Sequence, residues 1–280
     1  MSYIKPEIYE TATQHIEQHI IDSIANIKNE KPFYNTIVDI GSADGGLTKY
    51  LSANVPHKQL IGIDIDPEMI AYAKSQSIDD NTIVYIEQDM NVENWSQLCP
   101  QIRQLEGRVD LIFSNDTLSN IADRKQLMTN LWQLLSSDNG ILHVNIPIIP
   151  DLNRKLAKSE QRDWYQSVSK QLDDWKSGLQ ENGFQIKEFR VFNINTIAKR
   201  HEIINFLPMM VQNVGTFFTD KRQFEDELDG HLTDTVFDAY TSQPDATPNP
   251  NAWKQFMADN TITEVTLIRQ ALKFICIKNI

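Results

Sequence analysis

"VDIGSADGGLTKYL", residues 38–51, decides how the rest of the chain is read. An apolar run ends on Asp39 and Ile40. Gly41 and Gly45 follow among small and acidic residues, and then Leu47 and Tyr50 open a helical pattern. Strand, tight turn and helix start are the parts of a nucleotide-type binding loop. Gly41 lets the backbone turn sharply, and Gly45 lets it pass close to a ligand. The loop departs from the dinucleotide fingerprint GxGxxG, because Ala43 stands where the second glycine would meet a pyrophosphate. Asp39 and Asp44 also flank that place. Two acids are unfavourable beside a diphosphate and favourable beside a cation.

Strands and helices alternate on the C-terminal side of this stretch. "TIVDI" (36–40), "QLIGIDID" (59–66), "TIVYIEQD" (82–89), "VDLIFSN" (109–115) and "ILHVNIP" (141–147) read as strands. "GLTKYLSAN", the segment from Pro67 and "RKQLMTNLWQLL" read as the helices between them, with Asp66 as cap and Pro67 in the first turn of the second. This pattern predicts a doubly wound α/β sheet of parallel strands. Its ligand belongs at the carboxyl ends of the strands, near the point where strand order reverses. On the N-terminal side, "ATQHIEQHIIDSIANI" (12–27) carries Ile16, Ile20, Ile24 and Ile27 at the spacing of one amphipathic helix.

The second half reads differently. A helix ends on Gly183, "FQIKEFRVFNI" (184–194) is a long strand, and residues 199–240 are mostly helical. "SQPDATPNPN" (242–251) is a loop and "EVTLIRQALKFICIK" (264–278) a closing strand. Two long strands around a helical insertion predict an antiparallel addition to the sheet edge. The expected organisation is an N-terminal helical leader or lid over residues 1–30, a core from 31–198 and 260–280, and a helical cap from 199–259.

Two further acids refine the site. Asp64 ends the second strand, where a carboxylate can accept hydrogens from both ribose hydroxyls; buried without a partner it would be costly. Asp89 ends the third, placed to accept from an adenine amino group while Met90 packs on the ring. Each has a plainer reading, as a capping or turn residue.

The residues "VDIGSADGG", "IGIDID", "EQDM" and "DLIFSNDTL" resemble the class I S-adenosylmethionine-dependent methyltransferases. The resemblance covers roughly residues 35–147 and implies a seven-stranded sheet with a reversed last strand. It implies S-adenosylmethionine as cofactor, held by Asp39, Gly41, Ser42, Ala43, Gly45, Asp64, Ile65, Asp89, Met90 and Asn115. A sulfonium without phosphate also accounts for the acidic loop. More narrowly, "PEIYETATQHIEQHIIDSI" and "RHEIINFLPMM" followed by "DKRQFEDEL" resemble the juvenile hormone acid and trans-aconitate methyltransferases. That implies O-methylation of a small-molecule carboxylate, with acceptor contacts from Tyr9, Gln14, Thr117, Phe206 and Met210. The sequence departs from this group after the fourth strand, where Ser119 and Asn120 replace a His-Trp pair. The stripe of Phe206, Leu207, Met209 and Met210 suits a core as well as a pocket.

The bulk properties exclude other classes. The 280 residues are 41% hydrophobic with a formal net charge of −12, and no Lys/Arg-rich run offers a nucleic-acid or anionic-membrane surface. Cys99 and Cys276 form no CxxC pair. No signal-peptide pattern opens the sequence and no run of about 18 apolar residues occurs, so a soluble cytoplasmic protein is expected. His15 and His19 lie four apart, but "HIEQH" is not HExxH, and no metal site is expected. Neither a Gly-x-Ser-x-Gly elbow nor the acid-aromatic motif of base-methylating enzymes occurs. No catalytic residue is assigned, and the sequence does not set the oligomeric state. An inactive cofactor-binding protein acting as an interaction partner and a nicotinamide-dependent oxidoreductase remain as alternatives.

Overall fold

The structure is a computed structural model that describes residues 5–13, 17–78, 80–121, 123–148, 168–204, 237–238, 241 and 251–279. Two N-terminal helices, α1 (Pro6–Thr13) and α2 (Gln18–Glu30), precede the sheet. The spacing predicts one helix over 12–27. Instead α1 begins earlier and α2 starts afresh after Glu17, whose extended backbone (φ −64°, ψ 145°) marks a new helix start. His15 and Ile16 lie outside the described residues.

The chain then runs β1 (Tyr34–Ile40), α3 (Gly46–Asn54), β2 (His57–Asp64), α4 (Pro67–Ser75), β3 (Ile83–Glu87), α5 (Pro100–Arg103) and β4 (Leu111–Asn115). It continues through α6 (Arg124–Leu134), β5 (Asp138–Pro147), α7 (Val168–Glu181), β6 (Gln185–Lys199), α8 (Ala252–Ala258) and β7 (Glu264–Asn279). Strand order is β3-β2-β1-β4-β5-β7-β6. The first five pair in parallel, and β7 runs antiparallel to β5, with Asn145 opposite Lys273. Order reverses between β1 and β4, so the crevice between these two strands is the expected ligand end.

Helix signals act as read. Asp66 caps α4, accepting from the Glu68 (2.8 Å) and Met69 (3.4 Å) amides, with Pro67 in the first turn. Asp66 therefore lies beyond β2, and Asp89 likewise lies two residues past the end of β3. Ile20, Ile24 and Ile27 of α2 pack in one cluster with Tyr34, Ile37, Leu60, Phe113 and Ile275, so α2 belongs to the core. On the opposite face Trp175 of α7 meets Phe274 at 5.6 Å. There Lys278 of β7 donates to the Trp132 and Leu135 carbonyls at 2.8 and 2.9 Å, closing the C-terminal end of α6 with a cation.

By its contacts the chain divides into two compact units. One comprises residues 1–147, 170–192 and 271–280, and the other 148–169 and 193–270. In the second, Arg200 donates to the carbonyls of Phe256, Met257 and Asp259 at 2.8, 3.0 and 3.0 Å. Its guanidinium also lies 4.5 Å from the centroid of the Phe256 ring, and Phe237 and Trp253 complete that aromatic cluster. No helix among the described residues is long and apolar enough to cross a membrane.

Candidate functional site

The loop after β1 is wound through left-handed backbone at Gly41 (φ +85°), Ala43 (φ +44°) and Gly45 (φ +81°). The Gly41 and Ser42 amides both donate to the Ile63 carbonyl, at 2.8 and 3.0 Å, which folds the loop against the end of β2. The two glycines answer to side chains. A Cβ on Gly41 would lie 1.9 Å from Thr117 Oγ1, and one on Gly45 would lie 2.5 Å from Tyr85 Oη. Gly41 thus lets the β4 loop close on the β1 loop at the reversal point. Gly45 lets Tyr85 pack beneath α3.

Asp64 ties the same region together. Its Oδ2 accepts from the Ala43 amide at 2.9 Å, and its Oδ1 from the Asp66 amide at 3.0 Å. Each oxygen keeps a second lone pair, so a role in ribose binding is compatible with a role in shaping the loop. Ile65 beside it is 58% exposed, an apolar surface at the strand end. Asp89 is exposed and accepts from the Asn91 amide at 2.7 Å, while Met90 is buried.

Four carboxylates converge here. Asp39 is buried, and Thr48 Oγ1 donates to its Oδ2 at 2.7 Å. Burial pushes Asp39 up to about 7; Thr48 opposes the shift and Asp64 adds to it. Asp44, also buried, is raised by burial although the Gly46 amide donates to it at 3.1 Å. Asp64 is raised by burial, against which the Asp66, Ala43 and Ile65 amides act. Asp116 follows β4 with φ +55°, its amide bonded to the Asn145 carbonyl at 2.9 Å. Tyr9 of α1 has its phenol in the field of all four. Burial and then Asp44, Asp116, Asp64 and Asp39 hold it far above the ordinary tyrosine range.

The residues at this end fit a sulfonium nucleoside. Ser42 Oγ and Asn115 Oδ1 are buried without a hydrogen-bond partner among the described residues, so each can take a bond from a ligand. The carboxylates suit a cationic group and disfavour a phosphate. Of the residues expected to contact the cofactor, Asp39, Gly41, Ser42, Ala43, Gly45, Asp64, Ile65 and Asn115 come together around the β1, β2 and β4 ends. Asp89 and Met90 follow β3. Thr117 sits directly under the loop, and Gln14, Phe206 and Met210 lie outside the described residues. Thr48 and Tyr85 were missed by sequence reasoning, since a helix threonine and a strand tyrosine carry no motif. A separate groove of about 680 Å³, lined by Ile61, Val84, Ile86, Cys99, Gln104 and Arg108 among others, contains none of the expected residues.

Residues 38–142 match the family model described as a methyltransferase domain. Trans-aconitate 2-methyltransferase from Escherichia coli O1:K1 is 31% identical over 147 residues, which is 52% of this chain and 52% of that protein. The chain thus matches about half the length of such relatives. Among solved structures, phosphoethanolamine N-methyltransferase 2 from Haemonchus contortus, in complex with phosphomonomethylethanolamine and S-adenosylhomocysteine, has a TM-score of 0.54. It shows 16% identity, over 98% of this chain and 57% of that one. The YcgJ protein from Bacillus subtilis has a TM-score of 0.56 and 14% identity, over 93% and 99% of the two chains.

Proposed function

We propose that the chain, whose residues 38–142 match a methyltransferase domain, is a class I S-adenosylmethionine-dependent methyltransferase that transfers a methyl group to a small-molecule acceptor, a carboxylate, by in-line displacement. The observation that carries this is the set of carboxylates, Asp39 and Asp44 buried and Asp64 and Asp116 half-buried, around a loop that Asp64 binds to the end of β2. When bound, S-adenosylmethionine supplies an electrophilic methyl group on a cationic sulfur. In this reading Asp64 and Ile65 take the ribose and adenine side, and Asp89 and Met90 the adenine amino group and ring. Asp39, Asn115 and the loop from Gly41 to Gly45 take the methionine side. Thr117 and Tyr9 stand nearest the acceptor, with Gln14, Phe206 and Met210 from segments the resemblance assigns to its pocket.

A carboxylate acceptor supports this division of labour. Its reference pKa is about 4, so it is ionised at neutral pH and needs no general base. The protein then has to align the acceptor oxygen with the methyl group and exclude water, which is catalysis by proximity. The relation to trans-aconitate 2-methyltransferase supports an acid as acceptor.

Calorimetry with S-adenosylmethionine, followed by transfer assays on a panel of small di- and tricarboxylic acids, tests both parts. The expected result is binding that weakens about ten- to a hundredfold in Asp64→Asn, in line with a lost charge-assisted hydrogen bond, and turnover on at least one acid. Binding without turnover on any acid, amine or phenol would favour the inactive cofactor-binding alternative.

A further inference from the structure

A polar row lies beside the site, on the sheet face that α2 covers. The pairing of β4 with β5 and of β5 with β7 sets Asn115, Asn145 and Lys273 side by side across the carboxyl ends of β4 and β5. Lys273 is 2% exposed and Asn145 is fully buried. The Asn145 amide nitrogen reaches Ser23 Oγ of α2 at 3.5 Å. Its Oδ1, like that of Asn115, is buried without a hydrogen-bond partner among the described residues. Lys273 Nζ meets Glu188 Oε2 of β6 at 3.5 Å, and Glu188 also pairs with the exposed Arg190. One carboxylate is thus shared between two cations, which leaves one positive charge over, and the buried cation of the two is Lys273. The other buried lysine among the described residues, Lys278, donates to two carbonyls and is satisfied. Burial and then the charge of Lys273 hold the neighbouring His143 down at about 3, so that histidine is neutral and adds no charge to the row. A buried ammonium paired this loosely is costly to the fold, and an anion brought to it would offset that cost.

We propose that Lys273 and Asn145 form an anion subsite of the acceptor pocket, which holds a second carboxylate of the acceptor, remote from the one that is methylated. The inference rests on the methyltransferase reading above and narrows its substrate class to small acids with two or more carboxylates. Neighbouring strands lie about 4.8 Å apart, so the backbone at Lys273 stands roughly 10 Å from that at Asn115, on the cofactor side. A short-chain diacid spans such a gap, with one end at the methyl group and the other at the ammonium. The carboxylate on Lys273 is not the reacting one. An ammonium bonded to the attacking oxygen would hold the lone pair that has to attack, and so stabilise the ground state more than the transition state. At the far end the same ion pair orients the free carboxylate and leaves it nucleophilic. Glu188 stands on β6, on the outer side of β7, so it holds the lysine from there and leaves the side toward Asn145 to the ligand.

Calorimetry on the full chain saturated with S-adenosylhomocysteine tests this without turnover. Glutarate is compared with valerate, and adipate with hexanoate, pairs of equal chain length that differ by one carboxylate. The wild type should bind the diacid of a pair about tenfold or more tightly, the effect of one charge-assisted hydrogen bond. Lys273→Met keeps an unbranched apolar stem and removes the charge. It should abolish the preference for diacids and, in transfer assays, raise KM for a diacid more than it lowers kcat. Asn145→Asp keeps the side-chain shape and sets a carboxylate beside the lysine, so it should weaken diacid binding as well. Affinity for S-adenosylhomocysteine should stay within a few fold in both variants. A lysine with a purely structural role would shift the melting temperature and leave the preference intact. Equal affinity of the wild type for mono- and diacids, or a preference that survives Lys273→Met, overturns the subsite. So does a larger loss of S-adenosylhomocysteine than of diacid, which would assign Lys273 to the carboxylate of the cofactor. Should Lys273→Met fail to fold, Asn145→Asp decides alone. A wild-type chain that binds no S-adenosylhomocysteine overturns the methyltransferase reading and the subsite with it; binding of S-adenosylhomocysteine with no preference for diacids overturns the subsite only.

Discussion

Asp39 and Gly41 show how much single positions in the loop carry. Burial raises Asp39 from an ordinary 3.8 to about 7. Between those values the folded chain keeps a proton that the unfolded chain has released. The stability contributed by this group is complete below about pH 4 and lost as pH rises through about 7. Asp39→Asn should therefore flatten the dependence of melting temperature on pH between 5 and 8. Affinity for a cationic ligand should run the other way, rising with pH as Asp39 ionises, and the same variant should abolish that rise in calorimetry. At Gly41 an added Cβ would meet Thr117 Oγ1 at 1.9 Å from a backbone of φ +85°. Gly41→Ala should cost about 2 kcal/mol or more in urea denaturation, from overpacking and left-handed strain together.

The two N-terminal helices differ in what they do, although both are short and amphipathic. Helix α2 closes one face of the sheet: Ile24 is 2% exposed, and the Tyr34 hydroxyl donates to the Ile27 carbonyl at 2.7 Å. Ile24→Ala should cost about 2–5 kcal/mol, the usual price of a core cavity, measured as a drop in the urea midpoint. Helix α1 contacts α4 through the exposed Tyr72–Glu10 pair. Removing residues 1–13 should leave the melting temperature within a few degrees, yet impair cofactor retention and methyl transfer. An early melt of that truncation would make α1 part of the core instead.

At the scale of the whole molecule the net charge is −12, and Asp39, Asp44, Asp64 and Asp116 place four acids at the site. Such a field favours a cation and disfavours a pyrophosphate. NAD and NADP should show no binding at millimolar concentration in calorimetry. Affinity for S-adenosylmethionine should fall with added salt, though modestly, because the acids are partly shielded by burial. Micromolar binding of either dinucleotide would restore the oxidoreductase alternative.

Much of this was readable in one dimension. The alternation of strand and helix from Thr36 to Pro147 is set by hydrophobic periodicity and by local signals such as the Asp66 cap and Pro67, which act over a few residues. The acids at the strand ends were legible for the same reason, since a strand end is a local event. What the tertiary structure decided lies in contacts between residues far apart in the chain. Only the fold brings Thr117 under Gly41, Tyr85 under Gly45 and the Asp64 carboxylate onto the Ala43 amide. Only the fold sets the order β5-β7-β6 at the sheet edge and lays Glu10 against Tyr72, sixty-two residues away. Periodicity reports which face of an element is apolar; it holds no information about which distant side chain that face will meet.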